Sequence, residues 1–309
     1  MGDLPLRKII IASDSDLTAT KTFMQVPLLE HFGYDMADWI DTFPEIDKAR
    51  KAEILDESAV PEELRVSPDM QRAGYCEELT WLYQFMEFVN NHGPDGERWA
   101  GVTKAFLREM GAEVELFPGL PDAIPELKES VSSNREWAEH GITLEYHLIS
   151  AGLFDIIAGN RLAKYCDGLF ATELAYHPVT REVMDLAFPI NSTTKTRFLY
   201  SIMKGPGVGV NEDVAPESRI PGENFIVLAD GQSDKPLWAE IRNHYGGLGL
   251  ALYDPEARSF NTQENAQQLF DAGRVDHIAE ADYRPGSELR TILEEDAIPA
   301  VAEKIMRQE

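Results

Sequence analysis

The sequence predicts an α/β fold: a doubly wound, mainly parallel sheet with a helical domain inserted after the first strand. Three observations carry that reading. Lys8-Ile9-Ile10-Ile11-Ala12 is short, β-branched and continuously apolar, the signature of a strand covered on both faces. From about Gly111 onward, apolar runs of strand length alternate with helical patterns, the rhythm of βα units around a parallel sheet. Between them, from about Thr20 to about Gly111, the pattern is helical, so the first strand is separated from the others by a block of different character. The expected division is an α/β core of residues 1–19 and 112–309 and a helical cap of residues 20–111.

The elements follow in order. In the inserted block, Tyr75, Leu79, Leu82, Phe85, Met86 and Val89 recur at helical spacing, which predicts the core of a small bundle, with turns at Val60-Pro61 and at Asn91-His92-Gly93-Pro94. Val114 to Phe117 reads as extended before the turn Pro118-Gly119, and a helix is expected through Leu127 to Ala138. Ile142 to Ile149 is the next strand, ending at Ser150-Ala151-Gly152. A helix over Leu153 to Arg161, an extended Gly168 to Thr172 and a helix over Thr194 to Met203 come next. A loop rich in Gly and Pro fills Gly205 to Glu223 before the strand Phe225 to Ala229. One more helix, a strand over Leu248 to Tyr253 and a closing helix near Ser287 to Ile305 complete the series.

Composition narrows the function classes. Apolar residues are 43% of the 309 and charged residues 27%, a balance that buries a core. The 28 Lys and Arg against 54 Asp and Glu leave a net charge of −26, which repels nucleic acid and anionic membrane surfaces. A phosphorylated substrate would be repelled as well, unless a local cation met it. The surplus acids can equally be a solvated surface suited to salt. Cys76 and Cys166 make no disulfide framework or C-x-x-C pair, there is no signal-peptide core, and no apolar stretch reaches membrane-spanning length. A soluble cytoplasmic chain is expected.

In a doubly wound sheet the ligand site lies at the carboxyl ends of the strands. The first strand ends in Asp14-Ser15-Asp16-Leu17-Thr18, two carboxylates at a buried edge that need a cation or a chemical role. The next candidate strand ends in Ser150, followed by small Ala151 and Gly152. Lys195 opens a helix after the capping run Ser192-Thr193-Thr194, and Phe225 to Ala229 runs into Asp230-Gly231-Gln232-Ser233-Asp234. One scheme uses them all. Asp14 and Asp230, with the backbone carbonyl at Asp16, form an oxygen-rich seat for Mg²⁺. Asp14 attacks phosphorus, and Asp16 protonates the leaving alcohol and then deprotonates water. Ser150 and Lys195 hold the phosphoryl oxygens beside Thr18, Ala151 and Gly152, while Asp234 orients Lys195 or a metal-bound water.

These segments resemble the haloacid-dehalogenase-like (HAD) phosphohydrolases. The family's four motifs are a strand ending in D-x-D-x-T, a strand ending in Ser or Thr, a Lys at a helix start, and a strand ending in paired acids. Here they are DSDLT at 14–18, LIS at 148–150, Lys195 in STTK and LADGQSD at 228–234, in the family order. SAGLFDII and ADGQSD look most like the phosphoserine-phosphatase-like branch, although Ala229 stands where the family commonly has Gly. The resemblance covers about two thirds of the chain and implies a Mg²⁺-dependent phosphomonoesterase acting on a small phosphorylated metabolite. It also implies that the block at 20–111, larger than the cap of phosphoserine phosphatase itself, is a mobile cap over the site. The same residues allow transfer to an alcohol other than water, or phospho-ligand binding without catalysis. A D-x-D glycosyltransferase leaves Lys195 and Asp234 unexplained, and Asp16 is the second acid that dehalogenation lacks.

Other patterns carry no site. Gly205-Pro206-Gly207-Val208-Gly209 and Gly246-Gly247-Leu248-Gly249 do not sit between a strand and a helix, as a phosphate-cradling turn must. There is no H-E-x-x-H and no G-x-S-x-G. Lys21 and Arg197 read as surface charges.

Overall fold

The computed structural model describes residues 7–41, 45, 48, 61–64, 79–90, 99–258 and 260–307. Its centre is a seven-stranded sheet in the order β4-β3-β2-β1-β5-β6-β7. The strands are β1 (Lys8–Ser13), β2 (Thr143–Leu153), β3 (Gly168–Tyr176), β4 (Val183–Phe188), β5 (Phe225–Ala229), β6 (Leu248–Tyr253) and β7 (His277–Glu280). All neighbours pair in parallel except the antiparallel β3–β4. β1 lies between β2 and β5, so the DSDLT segment leaves the sheet at its middle, beside the ends of both neighbours.

The apolar run of β1 divides by the period of two. Ile9 and Ile11 join the cluster containing Leu289, Ile298 and Val301, while Ile10 and Ala12 join the one containing Leu199, Leu237 and Trp238. Both faces of the strand are therefore buried. The first cluster runs on without a break into the inserted block, through Met24, Leu28, Trp39, Leu82, Phe85 and Trp99. Leu79, Leu82, Phe85, Met86 and Val89 are buried, as their spacing predicts; Tyr75 and the turns Val60 and 91–94 lie outside the described residues.

The described helices are α1 (Val26–His31), α2 (Met36–Asp41), α3 (Thr80–Val89), α4 (Lys104–Glu113), α5 (Ala123–Ser133), α6 (Arg135–Glu139), α7 (Phe154–Gly159), α8 (Ser192–Lys204), α9 (Lys235–Ala239), α10 (Gln263–Asp271), α11 (Glu288–Thr291) and α12 (Ile298–Arg307). Several sequence expectations need correction. Val114 to Phe117 forms no strand; it makes one isolated antiparallel bridge, Thr20 to Leu116, before the chain turns at Gly119, where φ is +88°. The helix expected through Leu127 to Ala138 breaks at Asn134, whose side chain accepts the Trp137 N–H at 3.2 Å and starts α6. The cap of α8 is Asn191, in a reciprocal box with Thr194, rather than the run Ser192 to Thr194. The helix expected over Leu153 to Arg161 stops at Gly159. β4, β7 and α10 carry no clear sequence signal, because they are short or half-exposed and lack a continuous apolar run.

The expected boundary near residue 111 falls inside α4, which packs tightly on α7. A Cβ on Gly111 would stand 1.8 Å from the Ile156 carbonyl oxygen, and one on Gly159 would stand 2.1 Å from the Arg108 carbonyl oxygen. Asn160 donates its amide to the carbonyls of Gly111 (3.1 Å) and Val114 (2.8 Å), locking the crossing. Gly111→Ala is expected to force the helices apart and to lower unfolding free energy by about 3 kcal/mol or more, read from urea titration.

Candidate active site

Sequence and geometry meet at the end of β1. The Asp14 N–H donates to the Leu228 carbonyl at 2.9 Å, the last tie between β1 and β5. The chain then curls over its own backbone: the Ser15 carbonyl accepts N–H groups from Thr18 (3.3 Å), Ala19 (2.8 Å) and Thr20 (3.0 Å). Leu17 takes the left-handed conformation at φ 57°, which is unfavourable for a residue with a Cβ and is held by its surroundings. Asn261 donates to the Leu17 carbonyl at 2.6 Å and Tyr283 donates to the Thr18 carbonyl at 2.9 Å. These two residues were missed in the sequence. They lie more than 240 positions downstream of the loop they hold, and nothing local marks either one.

The charged centre lies immediately beneath. Lys195, 1% exposed, reaches Asp14 Oδ1 at 3.0 Å and Asp234 Oδ1 at 2.7 Å. One oxygen from each of Asp14, Asp230 and Asp234 lies within 4.8 Å of the others. Burial lifts Asp14 to about 6; Lys195 opposes that rise and Asp234 adds to it. Burial, then the Asp234 and Asp14 charges, holds Asp230 well above the usual carboxylate range. Burial alone would lower the Lys195 pKa, but the two carboxylates outweigh it and keep the ammonium charged. Asp16 is lifted to about 8, first by burial and then by Asp14, against the stabilising N–H of Met24 at 3.0 Å.

One ammonium among three clustered carboxylates leaves a surplus of negative charge in a buried place. That surplus and the all-oxygen donor set fit a hard divalent cation such as Mg²⁺. Asp234, expected only to orient its neighbours, stands as close to the cluster as Asp14 and Asp230 do. The Asp16 side chain is not in the cluster.

At the end of β2, Ser150 Oγ accepts the Gly152 N–H at 3.0 Å. Thr172 on β3 donates to the Ala151 carbonyl at 2.8 Å and accepts the Ile190 N–H at 3.0 Å, tying this turn to the approach of α8. Asp14, Asp16, Ser150, Ala151, Gly152, Lys195 and Asp230 all line a single cavity of about 510 Å³. Thr18 does not, which corrects its expected place beside substrate: it is fully buried, and its hydroxyl has no partner among the described residues. Its backbone carbonyl, fixed by Tyr283, is the atom that matters for the loop. Asp234 is buried behind the lining, with no exposed surface.

The roof of the cavity comes from the inserted block, through Phe23, Met36, Ile40 and Trp81, and one side comes from Phe260 and Leu269 after β6. Lys21 pairs with Glu115 at 2.6 Å, and Arg197 lies over the Phe188 ring at 5.0 Å; neither lines the cavity. Among the described residues no helix is long and apolar enough to cross a membrane.

No family model matches the chain, and no curated protein matches it. Among solved structures, a HAD family hydrolase from Salmonella enterica subsp. enterica serovar Typhi aligns at TM-score 0.52 and 21% identity, covering 95% of this chain and 73% of that one. A phosphoserine phosphatase holding a phospho-aspartyl intermediate analogue aligns at TM-score 0.49 and 15% identity, covering 94% and 99%. Cytosolic 5′-nucleotidase IIIB bound to cytidine aligns at TM-score 0.49 and 11% identity, covering 99% and 88%. The Salmonella likeness shows the fold: this chain has the architecture of a HAD family hydrolase.

Proposed function

We propose that this chain is a phosphohydrolase that cleaves a phosphate monoester through a covalent aspartyl phosphate on Asp14, with Mg²⁺ as its cation. The observation that carries the reading is the Asp14 carboxylate, 3.0 Å from the Lys195 ammonium on the wall of a cavity large enough for a small metabolite. Hydrolysis needs a nucleophile, a proton donor for the leaving alcohol and positive charge on the phosphoryl oxygens, and the site holds a candidate for each.

Asp14 attacks phosphorus along the line of the departing ester oxygen, forming one P–O bond as the other breaks. Asp16, two residues on, gives its proton to that oxygen, so the product leaves as a neutral alcohol. The same carboxylate then takes a proton from water as water attacks the phospho-Asp14, and inorganic phosphate is released. Lys195 stays charged throughout, with two of its N–H groups on Asp14 and Asp234, and its third is left for a phosphoryl oxygen. Ser150 Oγ and the small Ala151-Gly152 backbone line the same cavity and would hold a second phosphoryl oxygen. Asp14, Asp230 and Asp234, with the Asp16 carbonyl, would hold Mg²⁺, which when bound offsets phosphoryl charge as a Lewis acid.

The test is phosphate release from p-nitrophenyl phosphate and acetyl phosphate in the presence of Mg²⁺. Turnover is expected to fall to background when EDTA removes the metal and to return when Mg²⁺ is restored. Added alcohols that capture the phosphoryl group faster than water would reassign the chain as a phosphotransferase. Binding of Mg²⁺ and phosphate esters without any turnover would make it a binding protein.

A further inference from the structure

We propose that the substrate's leaving group is an uncharged alcohol with an apolar body, and that the cavity rejects esters carrying a second anionic group. The inference rests on the phosphohydrolase reading and names the substrate class of the same site. It comes from the part of the cavity that the phosphoryl chemistry leaves unused.

A phosphoryl group occupies the region of Asp14, Ser150 and Lys195, a small part of the 510 Å³. The remaining wall contains Phe23, Met36, Ile40, Trp81, Phe260 and Leu269. Phe260, half-exposed, meets Phe23 edge-on with ring centroids 5.7 Å apart. That contact joins the inserted block to the loop after β6 across the cavity, so the apolar wall is continuous from roof to side.

The charges lining the cavity are just as one-sided. Lys195 is its one basic side chain among the described residues, and that ammonium is already shared between Asp14 and Asp234. The polar residues that accompany the apolar wall, Gln25, Asn261 and Asn265, are neutral amides. A carboxylate or a second phosphate on the leaving group would therefore lie against the apolar wall with no cation of its own among the described residues, near the negative Asp14 and Asp234 cluster. Phosphoserine, with its α-carboxylate, is a poor match. An aryl or branched alkyl phosphate with neutral hydrogen-bonding groups is a good one.

A matched pair tests this directly: phenyl phosphate and 4-carboxyphenyl phosphate, which differ by one carboxylate remote from the ester. Their kcat/KM is measured on the Mg²⁺-loaded protein, and their Kd on Asp14→Asn protein with Mg²⁺. Both measurements are expected to favour phenyl phosphate at least tenfold, with phosphoserine ranked beside the carboxylated ester. Phe260→Ala is expected to weaken 2-naphthyl phosphate binding several-fold. Equal affinities, or a preference for the carboxylated ester, overturn the inference whatever the turnover. The expected affinity order with no turnover of any ester, acetyl phosphate included, overturns the phosphohydrolase reading and leaves the ligand class standing.

Discussion

Asp14→Asn is expected to abolish phosphate release, by a factor on the order of 10⁴ or more, while the metal-free protein becomes no less stable. The two halves of that result come from the same position. As a nucleophile Asp14 has no substitute: Asp16 is engaged by the Met24 N–H, and Asp234 is buried behind the lining. As a structural group, however, the Asp14 carboxylate is a liability. Its pKa of about 6 in the fold stands above its ordinary 3.8. A carboxyl raised in this way destabilises the folded state at every pH above the folded value, and the penalty disappears below the unfolded one. At pH 7, above the folded value, the penalty is present. Asn keeps the shape and removes the charge, and Lys195 retains Asp234 at 2.7 Å. Loss of turnover with an unchanged or raised melting temperature under EDTA is therefore the expected pair. A variant that melts well below the native protein would mean that Asp14 is a structural anchor and would void the kinetic comparison.

How much of this was legible in the sequence depended on whether the signal was local. β1, β5 and β6 declare themselves because a strand buried on both faces must be apolar without interruption, and their runs are. The acids at 14, 16, 230 and 234 and the lysine at 195 could be read because each follows or opens such an element. β4 escaped because it is an edge strand with several exposed residues, Met184 and Asp185 among them, so its pattern is diluted. Asn134 escaped because a cap inside an apolar periodic stretch breaks a helix without altering the period. The long-range contacts were illegible on principle. Asn261 and Tyr283 act on backbone carbonyls of the DSDLT loop, and a carbonyl has the same chemistry at every residue. Thr18 is the reverse case: the motif marks its side chain, whereas the fold uses its backbone carbonyl. The cavity's apolar wall was equally hidden, since Phe23, Trp81 and Phe260 become one surface only after folding.

Lys195→Met should produce the largest combined loss, in both stability and activity. The native ammonium lies between two buried carboxylates, 3.0 Å from Asp14 and 2.7 Å from Asp234, with Asp230 in the same cluster. Methionine matches the length of the aliphatic stem and removes only the charge and its hydrogen bonds, so three acids are left without their internal cation. Breaking a buried pair from one side costs about 3–5 kcal/mol. A loss of that size is expected in urea titrations under EDTA, with Mg²⁺ restoring more stability to the variant than to the native chain. Turnover should fall by on the order of 10²–10³-fold even at saturating Mg²⁺, because the group that neutralises phosphoryl charge is gone. The double variant Lys195→Met, Asp234→Asn separates the two roles. Removing one carboxylate along with the ammonium lowers the surplus negative charge, so most of the lost stability should return. Turnover should not return, since the double variant still lacks the ammonium that meets the phosphoryl group beside Asp14. If it does, Lys195 only holds Asp14 and Asp234 in place, and the charge met by the transition state must come from the metal alone.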